Sequence, residues 1–158
     1  MKILVMSDSH GRLGNMQKVA YDVMPDCIFH LGDSELGIDY LNSFFEIPTY
    51  GVRGNCDMDL SLKSHDVVEV GKHRFFLTHG HSYRVNSGLD KLKAAAKEEN
   101  CDVALFGHTH VPLFENDKDL IVANPGSIEC PRQKDHQFSY MVISINEGDE
   151  MEIKQKFI

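Results

Sequence analysis

Short apolar runs punctuate the chain, and each stops on a polar residue or a glycine. "KILVMSD", "DCIFHLGD", "IPTYGVRGN", "RFFLTHG" and "DVALFGH" are rich in branched or aromatic residues and close on Gly, Asp, Asn or His. That is the pattern of buried strands running into loops. Between the first two runs the period changes to that of a helix: in "GNMQKVAYDVM", Met16, Val19, Ala20 and Val23 share one face. "LNSFFE" and "SGLDKLKAAAKEEN" supply two further helices, the second striped by Leu89, Leu92 and Ala96. Strands alternating with helices predict βαβ units and a largely parallel sheet.

The rest of the chain is patterned differently. "DVVEVGKHRFFLTH" reads as a hairpin around Gly71, "PLFENDKDLIVANPGS" as one around "ENDKD", and "QFSYMVISINEGDEMEIKQKF" as one around "NEGD". In the last strand Met151, Ile153 and Phe157 alternate with Glu152, Lys154 and Lys156, as in a sheet with one wet face. The expected architecture is α/β: two packed sheets with helices outside, an α/β sandwich forming one domain over residues 1–158.

Composition narrows the class without changing that picture. A chain of 158 residues suits one domain and buries roughly 70% of its unfolded surface, so no staple is needed. Its four cysteines, Cys27, Cys56, Cys101 and Cys130, form no C-x-x-C pair, and Cys27 and Cys101 open apolar runs, which argues against a disulfide framework. Only Ile3 to Met6 are consecutively apolar near the start, too few for a signal core or a membrane span, so a cytoplasmic location without membrane association is expected. A formal net charge of −8 opposes nucleic acid as a stable partner. A polyanionic ligand would need a local positive site.

The chemistry stands where the five runs end. The first delivers Asp8 and His10, the second Asp33, the third Asn55, the fourth His79 and His81, and the fifth His108 and His110. Loops beyond the carboxyl ends of strands in open α/β sheets lie side by side, and ligands bind there. Asp8, His10, Asp33, Asn55, His79, His108 and His110 make a mixed oxygen and nitrogen set too large for one tetrahedral zinc. Seven ligands suit two ions about 3.5 to 4 Å apart sharing a carboxylate. Because His108 and His110 would share a face in a regular strand, the chain must leave β geometry after Gly107 for them to serve different ions.

The order D-x-H, GD, GN-x-D, H-G-H, GHTH resembles the calcineurin-like metallophosphoesterase superfamily, and within it the small prokaryotic YfcE-type branch. The resemblance runs from Met1 to about Ser127, and the superfamily's two-sheet fold is the one expected above. It implies a metal-dependent phosphoesterase, most simply a phosphodiesterase acting on a small phosphate ester, with a hydroxide between two ions as nucleophile. By the same resemblance Asp8, His10 and His110 hold one ion, Asn55, His79 and His108 hold the second, and Asp33 bridges them. The ions would be manganese, nickel, iron or zinc, with manganese favoured; ligand type alone does not choose among them. Two divalent ions against Asp8 and Asp33 leave a local charge of about +2, which answers the acidity of the whole molecule. A homodimer is an expectation of the resemblance only.

One departure stands out: larger members carry histidine where "GNCD" has Cys56. A neutral thiol is a poor proton donor, so packing is the expected role of Cys56, and His81, with a suitable ordinary pKa, becomes the candidate acid. Asp57 is expected to orient Asn55 or a histidine. Arg53 divides evenly between a phosphate contact and a surface ion pair, and Arg12 is a weaker candidate of the same kind. "NPGS", Asn124 to Ser127, should bring backbone close to the site, with Gly126 making the turn. His30 reads as a hydrogen-bonded core histidine, and His65, His73 and His136 as surface residues. Two other readings compete: a non-catalytic scaffold like the retromer subunit built on the same fold, and a phosphomonoesterase. The short connections leave little material for a specificity cap.

Overall fold

The computed structural model describes all residues from Met1 to Ile158. Ten strands form two five-stranded sheets. The first has the order β10-β9-β1-β2-β3, built from β1 (Lys2–Met6), β2 (Cys27–His30), β3 (Thr49–Gly51), β9 (Ser139–Ile145) and β10 (Met151–Phe157). The second runs β4-β5-β6-β8-β7, from β4 (His65–Val70), β5 (His73–Thr78), β6 (Val103–Leu105), β7 (Pro112–Asp117) and β8 (Leu120–Pro125). Helices α1 (Gly14–Val23), α2 (Ile38–Phe45) and α3 (Asp90–Glu98) occupy the predicted segments, α2 starting earlier than its apolar run implied.

Each sheet is mixed where a largely parallel one was expected. β1, β2 and β3 are parallel neighbours, as are β5, β6 and β8, and the hairpin strands β9, β10, β4 and β7 add antiparallel margins. All three hairpins form as the sequence predicts. The parallel centres matter for function, because they send consecutive loops to the same edge.

Alternation explains the layers. Ile3 and Val5 of β1 join Phe29, Phe75, Leu77, Val103, Leu105 and Ile143 in the core between the sheets. Leu4 and Met6, one residue out of phase, pack outward on Met16 and Val19 of α1 and Leu41 of α2. Ala104 likewise turns outward to Leu92 and Ala96 of α3. A strand buried on both faces reads as a continuous apolar run. No helix is long and apolar enough to cross a membrane.

β10 departs from its expected pattern at its end. Met151 and Ile153 pack on the core, but Phe157 is 47% exposed. Gln155 takes the position between them and donates its amide to the carbonyls of Pro125 and Tyr140, both at 3.0 Å.

His73 is half-buried, contrary to the surface reading, and so is His65, whose ring stacks on Phe76; His136 is exposed. His73 Nδ1 lies 2.7 Å from Asp102 Oδ2 and Nε2 lies 2.9 Å from the Asp149 carbonyl. Both neighbours accept only, so the ring satisfies them by carrying a proton on each nitrogen. Burial pushes the ring pKa down, but the Asp102 carboxylate and the Asp149 carbonyl more than reverse this and hold it above the usual value. A raised folded pKa gives stability that is fully present below the unfolded value of about 6.5 and is lost as pH rises through the folded value. Thermal unfolding should therefore show wild type ahead of His73→Gln by up to about 1 kcal/mol at pH 5.5, with the gap shrinking toward pH 9.

Candidate metal centre

All seven predicted ligands and His81 lie just beyond the carboxyl ends of parallel strands. Asp8 and His10 follow β1, Asp33 follows β2, Asn55 follows β3, His79 and His81 follow β5, and His108 and His110 follow β6. β6 ends at Leu105, two residues before the glycine after which the break was expected, so the chain has already left strand geometry at the two histidines. Five of the seven have left-handed backbones: φ is 57° at Asp8, 46° at His10, 51° at Asp33, 68° at His108 and 59° at His110. Asp and His visit this region more readily than most residues, yet five at one edge mark a backbone bent to aim side chains.

Hydrogen bonds between the loops hold these bends. Asp8 N–H donates to Gly32 O (3.1 Å), His10 N–H to Asp33 O (3.0 Å) and Gly107 N–H to His79 O (3.1 Å). His108 N–H donates to Asp8 Oδ2 at 3.1 Å, joining the two sheets across the site. The "NPGS" segment lies against the centre as expected: Asn124 Nδ2 donates to Gly107 O (2.8 Å) and Ser127 Oγ to Asp8 O (2.8 Å). Two glycines are required by close approach. A Cβ on Gly54 would overlap the Asp33 carboxylate and backbone nitrogen, and one on Gly107 would overlap Ser7 Oγ.

The ligand atoms of Asp8, His10 and His110 fall within 4.8 Å of one another, and so do those of Asp8, Asp33 and His79. Asn55 Oδ1 is 3.1 Å from His79 Nε2, and the His108 ring centroid is 5.1 Å from that of His79. The far nitrogens of four rings have partners. His10 Nδ1 faces Glu35 Oε1 (2.7 Å), His79 Nδ1 faces Leu31 O (2.7 Å), His110 Nδ1 faces Cys130 O (2.6 Å), and His108 Nε2 faces the Asn86 amide (3.0 Å). The acceptors on His10, His79 and His110 take the proton of one ring nitrogen and leave the other with a lone pair for a ligand bond. Asn86 Nδ2 instead donates to His108.

Asp8 is wholly buried, and its Oδ1 has no hydrogen-bond partner although His110 Nε2 stands 3.0 Å away and His79 Nε2 4.0 Å away. A buried carboxylate oxygen without a hydrogen bond is costly unless a cation meets it. Burial pushes the Asp8 pKa up, yet His110 and His79 hold the carboxyl below its ordinary range. Asp33 behaves alike: burial opposes ionisation, and His79 with the Cys56 N–H outweighs it. His79, 3.4 Å from Asp33 Oδ2, is desolvated but held above the usual histidine value by Asp33 and Asp8. Two ionised carboxylates and several imidazoles around one small volume are a donor set that fits divalent cations.

A profile of the calcineurin-like phosphoesterase superfamily domain matches residues 1–148. The chain belongs to this superfamily. The probable metallophosphoesterase YsnB of Bacillus subtilis is 33% identical over 147 residues, 92% of this chain and 85% of that protein. A phosphodiesterase of Methanocaldococcus jannaschii is 33% identical over 149 residues, 82% of this chain and 84% of that protein. Among solved structures, a predicted phosphoesterase of Streptococcus pneumoniae superposes with a TM-score of 0.82 at 31% identity, covering 99% of this chain and 97% of that one. Vps29 of Entamoeba histolytica superposes with a TM-score of 0.78 at 18% identity over 100% and 99% of the two chains, a likeness of fold alone. The superfamily implies phosphoesterase chemistry with divalent metal ions, and the residues at this edge fit it.

Around the ligands, three expectations change. Asp57 orients neither Asn55 nor a histidine. Its Oδ2 accepts from Asp33 N–H and Gly54 N–H, both at 2.8 Å, and its Oδ1 from Glu35 N–H at 2.7 Å, so one carboxylate ties the GD and GN loops together. Cys56 is not packed: it is exposed, its N–H donates to Asp33 Oδ1 at 2.7 Å, and its thiol accepts from Asn55 Nδ2 at 3.3 Å. Partial desolvation and the Asp33 carboxylate push that thiol up to about 11, which keeps it protonated and unreactive. Arg53 takes part in none of the chain's ion pairs; its charge reaches His81.

His81 does face the centre, its ring 5.4 Å from that of His79 and 6.1 Å from that of His108. Burial and the neighbouring His79 lower its pKa, with Arg53 adding to the effect, against the weaker opposing pull of Asp33. His30 is the core histidine expected, fully buried with Nε2 3.1 Å from Ser9 Oγ and its pKa lowered to about 4, chiefly by burial. Sequence reasoning missed Glu35 and Asn86, because a loop acid and a loop amide look like any surface residue until the fold sets them beside His10 and His108.

Proposed function

We propose that this chain is a phosphodiesterase that works with two divalent metal ions, manganese favoured, and that residues 1–158 act as one unit. One ion would be held by Asp8, His10 and His110, the other by Asn55, His79 and His108, with Asp33 shared. The observation that carries the reading is the bare, buried Asp8 Oδ1 beside two imidazoles. When bound, the ions would acidify a water and neutralise the non-bridging phosphoryl oxygens.

The chain's own residues do the rest. Backbone and side-chain acceptors fix the tautomers of His10, His79 and His110, so that a lone pair and not an N–H meets each ion. Asp57 fixes Asp33 through its amide. His81 faces the centre and would steady the leaving-group oxygen with a hydrogen bond from its one N–H. Its lowered pKa disfavours the imidazolium that full proton transfer requires. The ligands stand on short loops at the strand ends, which suits small or varied esters.

The test is hydrolysis of bis-p-nitrophenyl phosphate by manganese-loaded protein, with p-nitrophenyl phosphate as the monoester control. Diester turnover that disappears on chelation and returns with metal supports the reading. Turnover of the monoester alone replaces it with a phosphomonoesterase, and no turnover with either ester, metal bound, favours a binding module.

A further inference from the structure

We infer that Glu35 is the positioning residue for His10: it fixes the imidazole tautomer and ring orientation from outside the ligand set, and so controls the affinity of one ion and not the other. The inference rests on the two-ion reading above. Glu35 Oε1 accepts from His10 Nδ1 at 2.7 Å, which gives that nitrogen the proton and leaves Nε2 as the ligand. Of the three acceptors that meet ligand histidines, Glu35 alone is a carboxylate; Leu31 and Cys130 offer neutral backbone carbonyls.

The contact is built in, as a chance meeting of two surface side chains is not. Glu35 has a left-handed backbone, φ 58°, and its amide is captured by Asp57 Oδ1 at 2.7 Å. The loop it stands on is bonded to the loop carrying His10 by His10 N–H to Asp33 O and Gly11 N–H to Ser34 O, both 3.0 Å. Thus the carboxylate of Asp57 that holds Asp33 also aims Glu35. An exposed ion pair on mobile side chains contributes little, but here both backbones are fixed and the histidine's other face is turned to Asp8 and His110, whose ring centroid lies 5.4 Å away. A carboxylate on the far nitrogen also makes the imidazole a stronger donor, and losing such a partner typically weakens metal binding by about 10- to 100-fold.

The experiment titrates metal-free wild type, Glu35→Ala, Glu35→Asp, Glu35→Gln and Asn86→Ala with manganese by calorimetry, and with cobalt by visible absorption. Glu35→Ala should weaken one of two binding constants by about 10- to 100-fold and alter the cobalt bands of that site alone. Glu35→Asp, which withdraws the carboxylate by one methylene, should behave like the alanine variant; Glu35→Gln, which still accepts from Nδ1, should recover most of the affinity. Asn86→Ala, which touches His108 and not His10, should leave the Glu35-dependent constant in place. Binding constants and cobalt bands unchanged in both Glu35→Ala and Glu35→Asp would overturn the inference and leave a solvated ion pair. Should wild type hold a single ion, the two-ion reading fails, and the Glu35 assignment then stands or falls on whether Glu35→Ala weakens that ion.

Discussion

Replacing Asp33 by alanine should lower manganese-dependent phosphodiester turnover by more than about 100-fold, because removing even an outer partner of a metal ligand costs 10- to 100-fold and Asp33 is the carboxylate shared by both proposed ions. Its side chain sits 3.4 Å from His79 and accepts from Cys56 N–H. Asp33→Asn keeps an oxygen for that N–H but loses the charge, so it should fail nearly as badly. If charge is what matters, the two variants fall together; if shape is what matters, the asparagine variant keeps its activity. Calorimetric ion counts on the same samples separate loss of metal from loss of chemistry.

Asp57→Ala should be the most destabilising single change at the site, by about 3 kcal/mol, since it strands three backbone N–H groups, those of Asp33, Gly54 and Glu35, where water has little access. Asp57 is 8% exposed, so solvent replaces the carboxylate poorly. For a domain of this size that corresponds to a fall in Tm of about 6 to 12 °C, read on metal-free protein by scanning calorimetry. Asp57→Asn keeps one acceptor oxygen and should lose about half as much. A metal-free Tm unchanged in Asp57→Ala would mean that the GD and GN loops hold each other without it.

Much of this could be read from the sequence, for a physical reason. Strands buried on both faces announce themselves as unbroken apolar runs, and a glycine, aspartate or histidine at the end of such a run has nowhere to go but the loop edge. That logic located β1, β2, β5 and β6, and with them Asp8, His10, Asp33, His79, His108 and His110; β3, with Tyr50 exposed, was marked by its branched and aromatic residues and by the glycine before Asn55. It also required the break in β geometry that appears as left-handed His108 and His110.

What escaped the sequence depends on contacts between distant segments. Asp57 has backbone amides as partners, and an amide leaves no mark in a sequence. Cys56 looked like packing material because thiols are usually buried, whereas here its amide is the engaged group and its sulfur faces out. Alternation assigned Phe157 inward, but the end of β10 runs past the core and Gln155 finds two carbonyls there instead. His73 sits in a polar stretch, yet the fold brings Asp102 and Asp149 to its two nitrogens from separate turns.

The most direct test of two-ion chemistry is a stoichiometric one: metal-free protein titrated with manganese while bis-p-nitrophenyl phosphate turnover is followed against ions bound per chain. The account predicts little turnover up to one ion and a steep rise to a plateau at two. Full turnover at one ion, or none at two, would contradict it.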